Sequence, residues 1–113
     1  MADHWLNQYE GKELELFRNY GNPYETISIR VQVDEQCMYV GDEEVEHGPD
    51  GGRSIRILTF DKENTRKAFT VLSGGNQDPI LVLKGMLNEK DRLKPLRKLC
   101  EENHIEFTEA MYF

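Results

Sequence analysis

The stretch Thr26-Ile27-Ser28-Ile29-Arg30-Val31-Gln32-Val33 alternates strictly between polar and aliphatic side chains. A period of two places Ile27, Ile29, Val31 and Val33 on one side of an extended chain, with Thr26, Ser28, Arg30 and Gln32 on the other. This is the pattern of a strand with one wet face, typical of an antiparallel sheet packed on one side only. Upstream, Leu14 and Leu16 alternate with Glu13 and Glu15, which predicts a strand over Lys12 to Tyr20 closed by the turn residues Gly21-Asn22-Pro23. Before it, Trp5, Leu6 and Tyr9 share the spacing of one helix face, and Gly11 limits them to a short helical turn. Downstream, a turn at Asp34-Glu35 leads to a third strand over Cys37 to Val40, so the N-terminal half reads as an antiparallel meander. The segment His47-Gly48-Pro49-Asp50-Gly51-Gly52 is a loop.

Past that loop the pattern changes. Ile55, Ile57, Leu58 and Phe60 predict a strand over Arg53 to Phe60 covered on both faces. Asp61 then caps a helix carrying Ala68, Phe69, Val71 and Leu72, which Ser73-Gly74-Gly75 stops. The continuous apolar run Ile80-Leu81-Val82-Leu83 predicts a buried strand, and Leu93, Leu96, Leu99 and Cys100 define one face of a second helix. Proline in a helix interior costs about 3 kcal/mol, so Pro95 sets the start of that helix near Arg92 and leaves Asn88 to Asp91 as a turn. Ile105, Phe107 and Ala110 to Tyr112 supply a last strand. The expected fold is a single α+β domain over residues 1–113: a mixed β-sheet with an N-terminal antiparallel meander and a C-terminal β-α-β-α-β, two helices packed on the sheet. Right-handed crossovers in the second half make some of its strands parallel.

The 113 residues suit one core, and a hydrophobic fraction of 38% with 10% aromatic residues in clear runs argues against disorder. Apolar runs such as Ile80 to Leu83 fall far short of a bilayer span, and Met1-Ala2-Asp3-His4 lacks a basic region followed by an apolar stretch. A cytoplasmic protein is therefore expected. Cys37 and Cys100, 63 residues apart in dissimilar surroundings, read as reduced packing residues.

Catalytic and cofactor signals are weak, and no cofactor or metal is expected. Leu72-Ser73-Gly74-Gly75-Asn76-Gln77 matches the signature loop of ATP-binding-cassette ATPases. Here, however, the glycines follow a helix instead of opening one onto a phosphate, and no Gly-rich Lys-Ser/Thr loop accompanies them. His4, His47 and His104 are scattered, and only His47, among Glu44, Glu46 and Asp50, has a carboxylate neighbourhood.

Charge carries the functional reading. Residues 1–52 hold three basic and twelve acidic side chains, whereas residues 53–113 hold eleven basic and nine acidic. The seven acids Asp34, Glu35, Asp42, Glu43, Glu44, Glu46 and Asp50 occur without a lysine or arginine among them, and their charge equals the net −7 of the chain. Direct binding to nucleic acid is disfavoured because phosphates are repelled. The expected function is a non-catalytic acidic module that binds, and inhibits or regulates, a basic partner protein. By charge and size, not by motif, it parallels small immunity proteins and antitoxins. Asp34, Glu35, Asp42, Glu43, Glu44, Glu46 and Asp50 would steer the partner, with Tyr39, Val40 and Val45 as apolar anchors.

Two other readings stand beside it. One is a small enzyme or ligand-binding domain with Asp61, Asn64, Lys84 and Asn88 at the C-terminal ends of the parallel strands. The other is a self-associating subunit, a homodimer paired through an edge strand (Lys12 to Tyr20, or Ile105 to Phe113) or through the apolar tail Ala110-Met111-Tyr112-Phe113.

Overall fold

In the computed structural model, which describes residues 2–113, the alternating stretch forms the second of five strands. The elements run α1 (Ala2–Tyr9), β1 (Lys12–Arg18), β2 (Glu25–Asp34), β3 (Cys37–Glu46), β4 (Arg53–Phe60), α2 (Lys62–Leu72), α3 (Pro79–Met86), α4 (Lys94–Glu102) and β5 (Thr108–Tyr112). The strands lie in sequence order, β1-β2-β3-β4-β5, and every neighbouring pair is antiparallel. The result is a single α+β domain with one layer of helices on one face of a five-stranded sheet.

The aliphatic face of β2 turns toward the helices, with Ile29, Val31 and Val33 essentially sealed from solvent. Met38 and Val40 of β3 and Leu58 and Phe60 of β4 extend this face. Leu6, Tyr9, Ala68, Phe69, Leu83, Leu96 and Cys100 cover it from the helices. Two polar side chains tie the layers together. Thr65, fully buried on α2, accepts from the Met38 amide at 2.9 Å and donates to the Phe60 carbonyl at 3.1 Å. Asn64 accepts from the Glu106 amide at 2.8 Å and so fixes the approach to β5. Buried polar groups need such partners.

Several sequence expectations are met locally. Asp61 caps α2 through its carboxylate, which accepts from the Asn64 amide at 2.8 Å. Ser73 ends that helix, and Pro95 lies in the first turn of α4.

The expected parallel strands and mixed sheet are corrected. Ile80 to Leu83 is not a strand but the middle of α3, with Ile80 and Leu83 buried and Leu81 exposed. A run of four apolar residues cannot by itself separate strand from helix. The start signals decide it: Asp78 accepts from the Ile80 amide at 3.0 Å, and Pro79 occupies the first turn, where its missing N–H costs nothing. Without that strand, β5 returns antiparallel beside β4 and there is no crossover between parallel strands. Among the described residues there are four α-helices: the two expected ones are α2 and α4, the expected N-terminal helical turn is α1, and α3 replaces the expected strand. The third strand also runs on past Val40 to Glu46, paired on both sides, and the last begins at Thr108 instead of Ile105. Ile105 is held back by its amide, which donates to the Cys100 carbonyl at 2.9 Å.

Candidate functional site

The acidic segment is mostly strand, and a strand divides its side chains between two faces. Asp42, Glu44 and Glu46 continue the row of Met38 and Val40 on the helix side, while Tyr39 and Glu43 project from the open face. Asp34 ends β2 and Glu35 lies in the hairpin turn, and Asp50 sits in the loop at the opposite end of the sheet. Of the eight residues, Asp42, Glu44 and Glu46 stand together on one face, and the other five lie on the open face or at the ends of the sheet. The ten-residue strand β3 spans about 33 Å, so its two ends cannot meet the same small patch.

On the open face, Tyr39, Ile55 and Ile57 floor a shallow hollow of about 350 Å³ over Gly41. A side chain at position 41 would crowd the Arg56 carbonyl at 3.2 Å, so glycine deepens the hollow. Ion pairs rim it. Glu43 accepts from Arg53 Nη2 at 2.6 Å, and Glu13 lies 3.5 Å from Arg30. The charge of Glu43 is thus answered locally.

Glu35 and Gln36 form a two-residue turn with both φ angles positive, 51° and 63°. Such turns suit the strand twist but favour glycine and asparagine. Here the Glu10 carboxylate compensates by accepting from both backbone amides, at 2.6 and 2.8 Å.

On the helix side β3 changes character along its length. Met38 and Val40 are fully buried, Asp42 is 7% exposed, Glu44 is half-buried and Glu46 is exposed. The cover over Asp42 and Glu44 is the connection between α3 and α4, and with Ser54, Arg56 and Met111 it encloses a polar hollow of about 290 Å³. Arg92 of that connection has a left-handed backbone, φ 55°. Its Nε donates to the Glu89 carbonyl at 2.9 Å, which leaves Nη1 at 3.7 Å from Asp42 and Nη2 at 3.7 Å from Glu44. Neither contact is a hydrogen bond. Arg56, the cross-strand partner of Asp42, turns Nη2 toward Met111 Sδ at 3.8 Å, and its Nε is buried without a partner.

Asp42 accordingly accepts no hydrogen bond among the described residues. Burial pushes its pKa up, against the opposing pull of Arg92 and Arg56. Beyond it, Glu46 stands directly opposite Glu25 of β2, a like-charged cross-strand pair. Asp42, Glu44, Glu46 and Glu25 thus make a carboxylate row on one face, with two arginines at its inner end. Alternation along residues 37–46 carries this signal in the sequence, but only once the strand is extended past Val40.

The four residues of the alternative site are divided: Asp61 and Asn64 stand together, and Lys84 and Asn88 lie on and after α3. Asp61 caps α2, where bonds from the Asn64 amide and side chain hold its carboxyl below the usual aspartate range. Asn64 is 6% exposed and serves the Glu106 amide. Lys84 lies on α3, and Asn88 caps the turn that follows it. Asp61 and Asn64 share a hollow of about 320 Å³ with Cys37 and Phe107, and no histidine lines it.

Both cysteines are free, and burial pushes the Cys100 thiol up to about 11, away from thiolate chemistry. The His47 ring nitrogen Nε2 lies 2.7 Å from the Thr26 hydroxyl, and no group of three or more metal-ligating side chains occurs among the described residues. No helix among the described residues is long and apolar enough to cross a membrane. Comparison with protein families, with characterised proteins and with solved structures finds no match.

Proposed function

We propose that the chain is a non-catalytic protein-binding module that engages a basic partner through the carboxylate row Asp42, Glu44, Glu46 and Glu25. One observation carries the reading: Asp42 is a nearly sealed carboxylate that accepts no hydrogen bond from the described residues, at the head of a row that becomes steadily more exposed. A carboxylate with so narrow a window to solvent is poorly hydrated, and an incoming guanidinium or ammonium supplies charged donors to it. Glu44 and Glu46 extend the attraction outward, and the net charge of −7 adds long-range steering. The partner would present an arginine- or lysine-rich surface, such as a cleft that otherwise grips phosphates. Occlusion of that cleft is the regulatory act. Asp34, Glu35 and Asp50 contribute to the field but lie away from the contact, and Tyr39 and Glu43 face the other side.

The test uses a fluorescent arginine-rich peptide and anisotropy at several salt concentrations. Asp42→Asn/Glu44→Gln/Glu46→Gln is compared with the charge-matched control Glu63→Gln/Glu101→Gln/Glu102→Gln. The row variant should lose more than about tenfold in affinity and the control less than about threefold, because site contacts exceed the diffuse field. Equal losses in the two variants, or no binding by the wild type at low salt, would refute the assignment.

A further inference from the structure

Gly41 stands near the middle of the open sheet face, with Arg30 of β2 beside it on one side and Ile57 of β4 on the other. The next row on the same face runs Ser28, Glu43, Ile55 across the same three strands. The hollow over Gly41 therefore has a polar side on β2 and an apolar side on β4, with Tyr39 at one end.

Ser28 is 3% exposed and lines this hollow. Its cross-strand partner Glu43 is drawn toward Arg53, whose Nε and Nη2 both donate to Oε2, at 3.1 and 2.6 Å. The Ser28 hydroxyl is thereby left without a side-chain partner among the described residues, and Glu43 Oε1 without a donor. Arg30 reaches Glu13 through one long contact of 3.5 Å, and the rest of its donors stay open.

We infer that the hollow binds an uncharged, planar heteroaromatic ring with an amide edge, a carbonyl beside an N–H. Charge narrows the class first. Arg30 is balanced by Glu13 and Arg53 by Glu43, so the hollow offers no net charge to an ion, and the net −7 of the chain repels anions at longer range. The polar side then selects the edge. Ser28 and Arg30 donate to the carbonyl, and Glu43 Oε1 accepts from the N–H; cross-strand partners such as Ser28 and Glu43 have Cβ atoms about 5 Å apart, within reach of one ring edge.

Shape selects the ring. The missing side chain at Gly41 leaves bare backbone between Arg30 and Ile57, which stand two strand spacings, about 10 Å, apart. One or two fused rings lie flat in that gap, with Ile55, Ile57 and the Tyr39 ring against the apolar edge. A volume of about 350 Å³ falls at the lower end of small-molecule sites, roughly 300–1,000 Å³. The site lies on the opposite face from the carboxylate row and does not depend on it.

The experiment is an amide NMR titration of the full chain with quinazolin-4-one, which carries the amide edge. Two compounds are compared with it: quinoline, the same fused pair of rings without that edge, and quinoline-4-carboxylate, which adds a charge. Quinazolin-4-one should bind saturably, with its largest shifts in residues 28–32 and 39–43. It should bind at least about threefold more tightly than either comparison compound, the effect of one hydrogen bond.

Ser28→Ala and Arg30→Gln should each weaken that binding about three- to tenfold. Arg18→Gln is the control, because Arg18 pairs with Glu15 on the same face outside the hollow, and it should leave the affinity unchanged. Should Arg30→Gln fail to fold, Ser28→Ala decides. The absence of saturable binding, comparison compounds that bind as tightly, or a Ser28→Ala chain indistinguishable from the Arg18→Gln control overturns the inference.

Discussion

The guanidinium of Arg92 stands 3.7 Å from the carboxylate of Asp42, inside ion-pair range and outside hydrogen-bond range. Asp42 thus keeps only a narrow window to solvent, 8% of its side chain, and faces a guanidinium without a hydrogen bond to it. Its raised pKa is the electrostatic record of that imbalance, with burial outweighing the attraction of two arginines.

Asp42→Asn follows directly. A carboxyl whose folded pKa is raised favours the folded state only while it is protonated; that contribution is present at low pH and lost as pH rises through the folded value. At neutral pH the charged Asp42 therefore opposes folding. Asp42→Asn should melt at or above the wild-type temperature at neutral pH, and the difference should shrink as pH falls through the acid range. Thermal melts across pH check this, and a variant that melts well below wild type at neutral pH would mean the arginines outweigh burial.

Arg92→Gln tests the other side of the pair. Removing one partner of a close buried ion pair costs about 3–5 kcal/mol, but this pair is loose and Arg56 remains nearby, so about 1–2 kcal/mol is expected. The same change frees the row for an incoming cation. Affinity for the arginine-rich peptide should rise while urea stability falls, opposite directions that a general weakening of the fold would not produce.

Tyr9 of α1 donates to the Asp78 carboxylate at 2.5 Å and joins the first helix to the cap of α3. Its pKa is pushed up to about 12, first by burial and then by the bond and charge of Asp78. The stabilisation is complete below the ordinary tyrosine value of 10.0 and is lost as pH rises toward 12. Tyr9→Phe should cost about 1–2 kcal/mol at neutral pH. Its stability should then fall less steeply than the wild type's between those two pH values, as read from denaturant midpoints.

Gln36 has φ 63° in the turn between β2 and β3. Gln36→Gly relieves that backbone and should stabilise by up to about 1 kcal/mol. Glu10→Ala strips both turn amides of their acceptor and should destabilise by about 1 kcal/mol. Chemical denaturation of both variants checks the pair, and a destabilising Gln36→Gly would contradict the strain argument.

Much of this protein is legible in its sequence wherever a local rule suffices. Alternation in residues 26–33 identifies β2 and its buried face, and two local effects mark helix starts, the carboxylate cap of Asp61 and the ring of Pro95, which needs no N–H bond in a first turn. The α+β class and the wet face of β2 follow from the same patterns, but the cover expected on both faces of β4 is corrected: Leu58 and Phe60 are buried under the helices, whereas Ile55 and Ile57 line the hollow on the open face. Ile80 to Leu83 fails because its four apolar residues carry no period, although Asp78-Pro79 held the cue.

Only the tertiary structure decided the rest. Sheet order depends on which distant segments pair, and losing one expected strand turned parallel crossovers into an all-antiparallel sheet. The acidic segment was visible as charge, but charge density says nothing about direction. Pairing of β3 with both neighbours sent Asp42, Glu44 and Glu46 to one face and Glu43 to the other, and the fold then brought Arg92 from the distant second half to stand over the first of them.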